Sequence, residues 1–186
     1  AGFVTPAASF TQCMSAAQIS EDAIKMSWRW QFARDAKITG LSGYPGVIYG
    51  WNPGEPKSTN AVLPAPVTTL AGMEVHYDMS ITSTGHVQTF FDLYFTSGPV
   101  PSLAAMTHEV SISIRAPQWV GAHTRVGSPF IDGQQYDVYV GKTSLPQANA
   151  IIWVSRQDHL SGRLKIDEIV AYMVSKGLVN QSGSPS

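Results

Sequence analysis

Cysteine occurs once, at position 13 of 186, so no internal disulfide can staple this chain. Cys13 is expected either as a small buried hydrophobe or bonded to a partner outside the chain. Charge is scarce too: Asp, Glu, Lys and Arg make up 13% of the residues and sum to −1. That leaves no electrostatic footprint for nucleic acid and no cationic face for an anionic membrane. Apolar runs are short and interrupted, well under the roughly 20 residues that a membrane-spanning helix needs, and no basic start precedes one. A soluble, already processed, secreted protein is expected, with neither nucleic acid nor membrane as partner. The five histidines, His76, His86, His108, His123 and His159, show no H-x-H or H-E-x-x-H spacing, so no metal and no cofactor is expected. No serine stands in a G-x-S-x-G elbow, which argues against serine hydrolase chemistry.

What is abundant favours strands and turns: 16 Gly, 12 Pro and many Ser and Thr, in a length that suits one domain, 1–186. The end, Gln181 to Ser186, reads as a loose tail. Seven strands are expected, at Ile24 to Gln31, Val47 to Tyr49, Gly72 to Ile81, Val87 to Thr96, His108 to Arg115, Gln135 to Gly141 and Ala150 to Ser155, each bounded by Gly, Pro, Asn or Asp. One helix is expected from about Arg163 to Lys176. Ile166, Ile169, Val170, Met173 and Val174 recur there at helical spacing, Asp167 and Glu168 suit its first turn, and Lys176 and Gly177 suit its end. The expected fold is all-β: a two-sheet antiparallel β-sandwich with one helix in the C-terminal half.

Alternation assigns faces. Val110, Ile112 and Ile114 should point into a core while Glu109, Ser111, Ser113 and Arg115 point away. Likewise Gln88, Phe90, Asp92, Tyr94 and Thr96 oppose Phe91, Leu93 and Phe95; Asp137 and Tyr139 oppose Tyr136, Val138 and Val140; and Glu74, His76 and Asp78 oppose Met73, Val75 and Tyr77. Carboxylates and aromatics on one sheet face suit a sugar polymer, because carboxylates bond hydroxyls and flat rings cover the apolar faces of sugars. The same mixture also fits an ordinary solvated sheet face.

Read in order, the segments from about Gln12 to Gly177 resemble glycoside hydrolase family 12, the small jelly-roll endoglucanases and xyloglucanases. Gln12-Cys13 is similar to that family's early Gln-Cys, Trp28-Arg29-Trp30 to its Trp-x-Trp strand, Gly43-Tyr44-Pro45-Gly46-Val47 to its Ser-Tyr-Pro stretch, and Leu63-Pro64 to its Leu-Pro. Phe91-Asp92-Leu93-Tyr94-Phe95 resembles Tyr-Asp-Leu-Phe, and Glu109-Val110-Ser111-Ile112-Ser113 resembles Glu-Ile-Met-Ile-Trp. Val126-Gly127-Ser128-Pro129 resembles Ile-Gly-Ser-Pro. Asp132-Gly133-Gln134-Gln135-Tyr136-Asp137-Val138-Tyr139-Val140-Gly141 resembles Asp-Gly-x-x-Trp-Glu-Leu-Trp-x-Gly, and Ile151-Ile152-Trp153-Val154 and Ser175-Lys176-Gly177-Leu178 match in place. The resemblance implies that the sandwich is a concanavalin-like jelly roll, and that the protein is a retaining endo-β-1,4-glucanase or xyloglucanase acting on a polysaccharide. Glu109 would be its nucleophile, Asp92 would assist it, and Trp28, Tyr94, Tyr139, Gln88 and Arg115 would contact substrate. Two carboxylates so placed should bias each other's proton, and a second carboxylic acid about 5 Å from the nucleophile would protonate the leaving oxygen.

The chain departs from the family in three places. The acid/base Glu belongs to a Gly-x-Glu-Pro-Phe-like strand after the helix, a motif no segment here matches; the Asn-Asn-x-Trp-Gly first strand is not recognisable before Gln12; and Ser111 and Ser113 replace Met and Trp. A second chain or further segment is therefore expected to complete the sandwich. Glu74, which shares a face with His76, is the best other acid but stays unassigned. Two alternatives remain: a non-catalytic carbohydrate-binding relative, and a polyuronate lyase in which Arg115 and Gln88 neutralise a uronate near Tyr94 and His76.

Overall fold

The computed structural model describes residues 10–33, 45–53, 55–85, 87–115, 120–143, 145, 148–180 and 184–185. Gly43 and Tyr44 of the family-like stretch, His86, and residues 181–183 and 186 of the expected tail lie outside the described residues. Contacts divide the chain into two compact units, residues 1–47 and 48–186.

In the first unit, β1 (Phe10–Ser20) and β2 (Ala23–Phe32) form a two-stranded antiparallel ribbon about a turn at Glu21 and Asp22. Phe10 faces Phe32 with ring centroids 5.5 Å apart, and the Ser15 and Ser27 hydroxyls meet at 2.8 Å. Only β2 was anticipated, because Ala, Ser and Gln in Phe10–Ser20 blur the alternation. Cys13 is exposed opposite Arg29, not buried, since a two-stranded ribbon by itself covers neither of its faces.

The second unit holds β3 (Glu74–Asp78), β4 (Phe90–Thr96), β5 (Met106–Ser113), β6 (Thr124–Gly127), β7 (Phe130–Ile131), β8 (Gln134–Lys142), β9 (Asn149–Ser155), β10 (Ser161–Lys165), α1 (Ile166–Ser175) and β11 (Ser184–Pro185). One sheet runs β11-β4-β5-β9-β8-β6, with β7 also on β8; β3 and β10 pair separately. The core lies between them. Phe95, Val110, Ile112, Tyr136, Val138, Ile151 and Trp153 of the large sheet meet Leu164 of β10 and Ile166, Ile169, Val170 and Met173 of α1, with Val75 and Tyr77 of β3 packed alongside. Each such side chain contributes about 1.5–3 kcal/mol on full burial. The fold is an all-β sandwich of jelly-roll type with one helix: the alternation implies the sandwich, and the family resemblance the jelly roll.

Details differ from the sequence reading for identifiable reasons. β5 and β9 pair in parallel, one non-antiparallel ladder that alternation cannot report because it is the same in both orientations. Residues 47–49 are irregular and exposed. The helix starts at Ile166, not Arg163: Ser161–Lys165 pair with β3, and Leu164 alternates into the core from a strand while also fitting the helical stripe. The helix ends as its sequence dictates. Gly177 takes φ 65°, its N–H bonds the Val174 carbonyl, and Leu178 N–H bonds the Met173 carbonyl at 2.9 Å, a Schellman motif. Asp132 and Gly133, with φ 45° and 80°, make the two-residue turn from β7 into β8 that a right-twisted hairpin favours. Within the expected tail, Ser184 and Pro185 pair with Thr96 and Phe95.

Candidate active site

The face of the large sheet turned away from the core is built in rows across the strands, about 4.8 Å per step. In one row Asp92 of β4 faces Ser111 of β5, then Ile152 of β9, Tyr139 of β8 and Arg125 of β6. In the next, Tyr94 faces Glu109, followed by Ala150 and Gly141. A third runs Phe90, Ser113, Val154 and Asp137. Between Tyr94 at one end of the Glu109 row and the His123 ring over Gly141 at the other, small residues leave a cleft of about 210 Å³ lined by Glu109, Ser111, His123, Lys142, Thr143, Ala150 and Ile152. Pockets for drug-sized ligands run to about 300–1,000 Å³, so this one is smaller than those.

The polar groups of the cleft are held in place. The Ser111 hydroxyl donates to Asp92 Oδ1 at 2.6 Å, and the Thr143 hydroxyl donates to Glu109 Oε2. Lys142 Nζ donates to Asn149 Oδ1 at 2.7 Å. Tyr94 is packed against Trp51, Met106 and Ala148. Burial, with the carboxylates of Asp92 and Glu109 adding to it, pushes the Tyr94 phenol well above its usual range, so it stays a neutral hydroxyl between two acids. At the other end of the row the His123 ring lies over Gly141: a Cβ there would sit 2.3 Å from Cδ2. His123 Nδ1 bonds the Val120 carbonyl and therefore carries its proton, while Nε2 has no partner among the described residues. Burial also holds His108, which precedes Glu109 on β5 and does not line the cleft, below the ordinary histidine range.

Beyond the cleft, Asp137 accepts from Arg125 at 2.5 Å, from Arg156 at 2.8 Å and from Ser128 at 2.8 Å. Chiefly through the Arg156 hydrogen bond, its carboxyl drops to about 2. Asp137 is thereby committed to an ion-pair cluster, as a permanent anion.

Of the residues singled out from sequence, Glu109, Asp92, Tyr94 and Tyr139 share this face in adjacent rows. Gln88 lies exposed before β4 begins. Arg115 lies past the end of β5, with Nε 3.4 Å from Asp158 and Nη1 3.3 Å from the Val87 carbonyl, and it does not line the cleft. Trp28 is an exposed residue of β2, in the other unit. Glu74 stands on β3, bonded to His76 at 2.6 Å with Lys165 and Arg163 nearby, and the His76 bond holds its carboxyl below the usual range. Among the described residues no three His, Cys, Asp or Glu are grouped to hold a metal ion, and no helix is long and apolar enough to cross a membrane. Thr143, Lys142 and His123 were not anticipated. The first two follow or end β8, and His123 sits before β6, where side-chain periodicity carries no information.

No family model and no curated protein matches the chain by sequence. Solved structures do match it in fold. A native family 12 xyloglucanase from Bacillus licheniformis superposes with a TM-score of 0.74 at 18% identity, covering 94% of this chain and 76% of that one. Endoglucanase 3 of Trichoderma harzianum, from the same family, gives 0.70 at 17% identity, covering 96% and 74%. A metagenome-derived family 12 endoglucanase gives 0.66 at 12% identity, covering 96% and 87%. The chain has the glycoside hydrolase family 12 fold.

Proposed function

We propose that this protein is a secreted, retaining glycoside hydrolase acting on a β-1,4-linked glucan or xyloglucan, with Glu109 as nucleophile. The observation that carries the reading is the Glu109 row: a half-buried carboxylate on a central strand, at the wall of the cleft, beside a neutral tyrosine and an assisting aspartate. A carboxylate so placed attacks the anomeric carbon through an oxocarbenium-like transition state and forms a covalent glycosyl-enzyme, which water then releases with retained configuration. Asp92, diagonal to Glu109 on the neighbouring strand, assists by holding its carboxyl group, oriented by the Ser111 hydroxyl, beside the nucleophile. Tyr94 supplies a hydroxyl, and Tyr139 a face for the sugar to stack on.

The leaving oxygen needs a proton. Within the family resemblance that acid belongs to the strand after the helix, and the residues paired after α1, Ser184 and Pro185, run along β4. The acid-bearing strand of this reading continues that pairing along β4, contributed by a second chain or a further segment.

Glu109 being the one carboxylate among the residues lining the cleft favours, as a second reading, a carbohydrate-binding relative without turnover. Reducing-end assays on glucan, xyloglucan and polyuronate, combined with ultraviolet absorbance of unsaturated products, separate the readings. New reducing ends without absorbance on the neutral glucans support the hydrolase. Binding with neither signal supports the binding protein, and absorbance on polyuronate overturns both in favour of a lyase.

A further inference from the structure

Thr143 stands immediately after β8, in the connection to β9, and its hydroxyl reaches across Ala150 of β9 to Glu109 on β5. A threonine hydroxyl has one proton and two lone pairs. The backbone N–H of Leu145 donates to Thr143 Oγ1 at 3.3 Å, occupying a lone pair and turning the hydroxyl. With that lone pair taken, the single hydroxyl proton is directed to Glu109 Oε2. The result is a chain from backbone N–H to hydroxyl to carboxylate, and its anchor belongs to the main chain and not to a free rotor. Leu145 is itself packed against Trp51, Met106 and Ala148, the cluster that also holds Tyr94 on the other side of Glu109.

We propose that Thr143 is a positioning residue for the nucleophile. By pinning Oε2 it fixes the rotation of the carboxylate and leaves Oε1 as the oxygen that attacks. The proposal rests on the reading of Glu109 as nucleophile and deepens it. It concerns no other step: the bond formed is Oε1 to the anomeric carbon, the bond broken is anomeric carbon to leaving oxygen, and the electron pair leaves with that oxygen.

The test uses dinitrophenyl β-cellobioside, whose leaving group departs without protonation, so that kcat/KM reports nucleophilic attack alone. Thr143→Val keeps the shape and removes the proton; Thr143→Ser keeps the proton and removes the methyl. Hydrogen bonds to charged groups set the expected loss in kcat/KM for the valine variant at about tenfold to a hundredfold. The serine variant should return to within about threefold of the parent. Binding of cellotetraose, read in a Glu109→Gln background, should change far less on Thr143→Val than kcat/KM does, because the hydroxyl proton is directed at residue 109 and not into the cleft. Unchanged kcat/KM in Thr143→Val overturns the proposal while leaving Glu109 as nucleophile. Equal loss in the valine and serine variants also overturns it, since packing and not the hydroxyl would then be the cause. Full activity in Glu109→Gln overturns both readings together. Thr143→Ala, which removes both methyl and proton, repeats the comparison should the valine not be accommodated.

Discussion

Gly141→Ala is the substitution whose cost can be worked most directly from the structure. The new methyl carbon would lie 2.3 Å from His123 Cδ2 and 2.9 Å from both Cγ and Nε2. Favourable carbon contacts begin near 3.5 Å, so the ring must retreat by at least about 1 Å. It is not free to do so, because Nδ1 is bonded to the Val120 carbonyl three residues earlier. Nor can β8 yield easily: Gly141 is opposite Ala150 within a ladder that runs from Tyr136 to Lys142. Overpacking of this kind costs about 1–3 kcal/mol, and the lower chain entropy of alanine in the unfolded state offsets about 0.4–1 kcal/mol of it. The net expectation is a loss of about 0.5–2 kcal/mol in urea unfolding, with displaced His123 imidazole resonances. His123→Ala should absorb most of that loss, so the double variant is expected to be less destabilised than the sum of the two single ones. A Gly141→Ala protein as stable as the parent, with unmoved His123 resonances, would refute the packing of this end of the cleft.

Three further outcomes are expected. Glu109→Gln should lower turnover of a soluble glucan on the order of 10⁴-fold or more while retaining cellotetraose binding within a few-fold, since it removes the attacking charge and keeps the shape; parallel kinetics and calorimetry check this. Trp153→Ala should destabilise by about 3–5 kcal/mol in denaturant titration, because the indole is fully buried between Tyr136 and Tyr172, with ring centroids at 5.7 and 5.3 Å. Asp137 has a folded pKa of about 2 against an ordinary 3.8, so its ion pairs stabilise fully above about pH 4 and cease to as pH falls through about 2. Its half-exposed arginine partners limit the effect to about 1–2 kcal/mol, and the difference in thermal midpoint between the parent and Asp137→Asn should shrink over that window.

The parts of this protein that were legible in its sequence are those where one face of a strand is dry. Val110, Ile112 and Ile114 are fully buried while Glu109 and Ser111 face the cleft, and Tyr136 and Val138 are buried while Asp137 and Tyr139 are not. Asp92 and Glu109 sit on such strands, so period two sets each away from the dry face of its own strand, while their place in one sheet and their adjacency are not contained in it. Thr96 shows where the rule stops: it is buried like its neighbour Phe95, at the register shift where β5 carries the extra residue Thr107 and Thr96 comes to face Met106. Strand order was equally hidden. The parallel partner of β5 is β9, some forty residues later, and a pairing of that range is set by the whole sheet. Thr143 acts from a loop, through a hydroxyl that composition cannot distinguish from any other, and only the approach of Glu109 marks it out.

The central claim, Glu109 as a covalent nucleophile, is tested most directly by trapping with dinitrophenyl 2-deoxy-2-fluoro-β-cellobioside. The fluorine slows both formation and breakdown of the glycosyl-enzyme, and the reactive leaving group, which needs no acid, keeps formation the faster of the two, so the trap reads the nucleophile whether or not the acid-bearing strand is in place. The intact mass is expected to rise by one fluorocellobiosyl group, carried after digestion on the peptide that contains Glu109 and absent from Glu109→Gln. Label on another carboxylate, or turnover of the unfluorinated cellobioside with no label accumulating, would contradict the account.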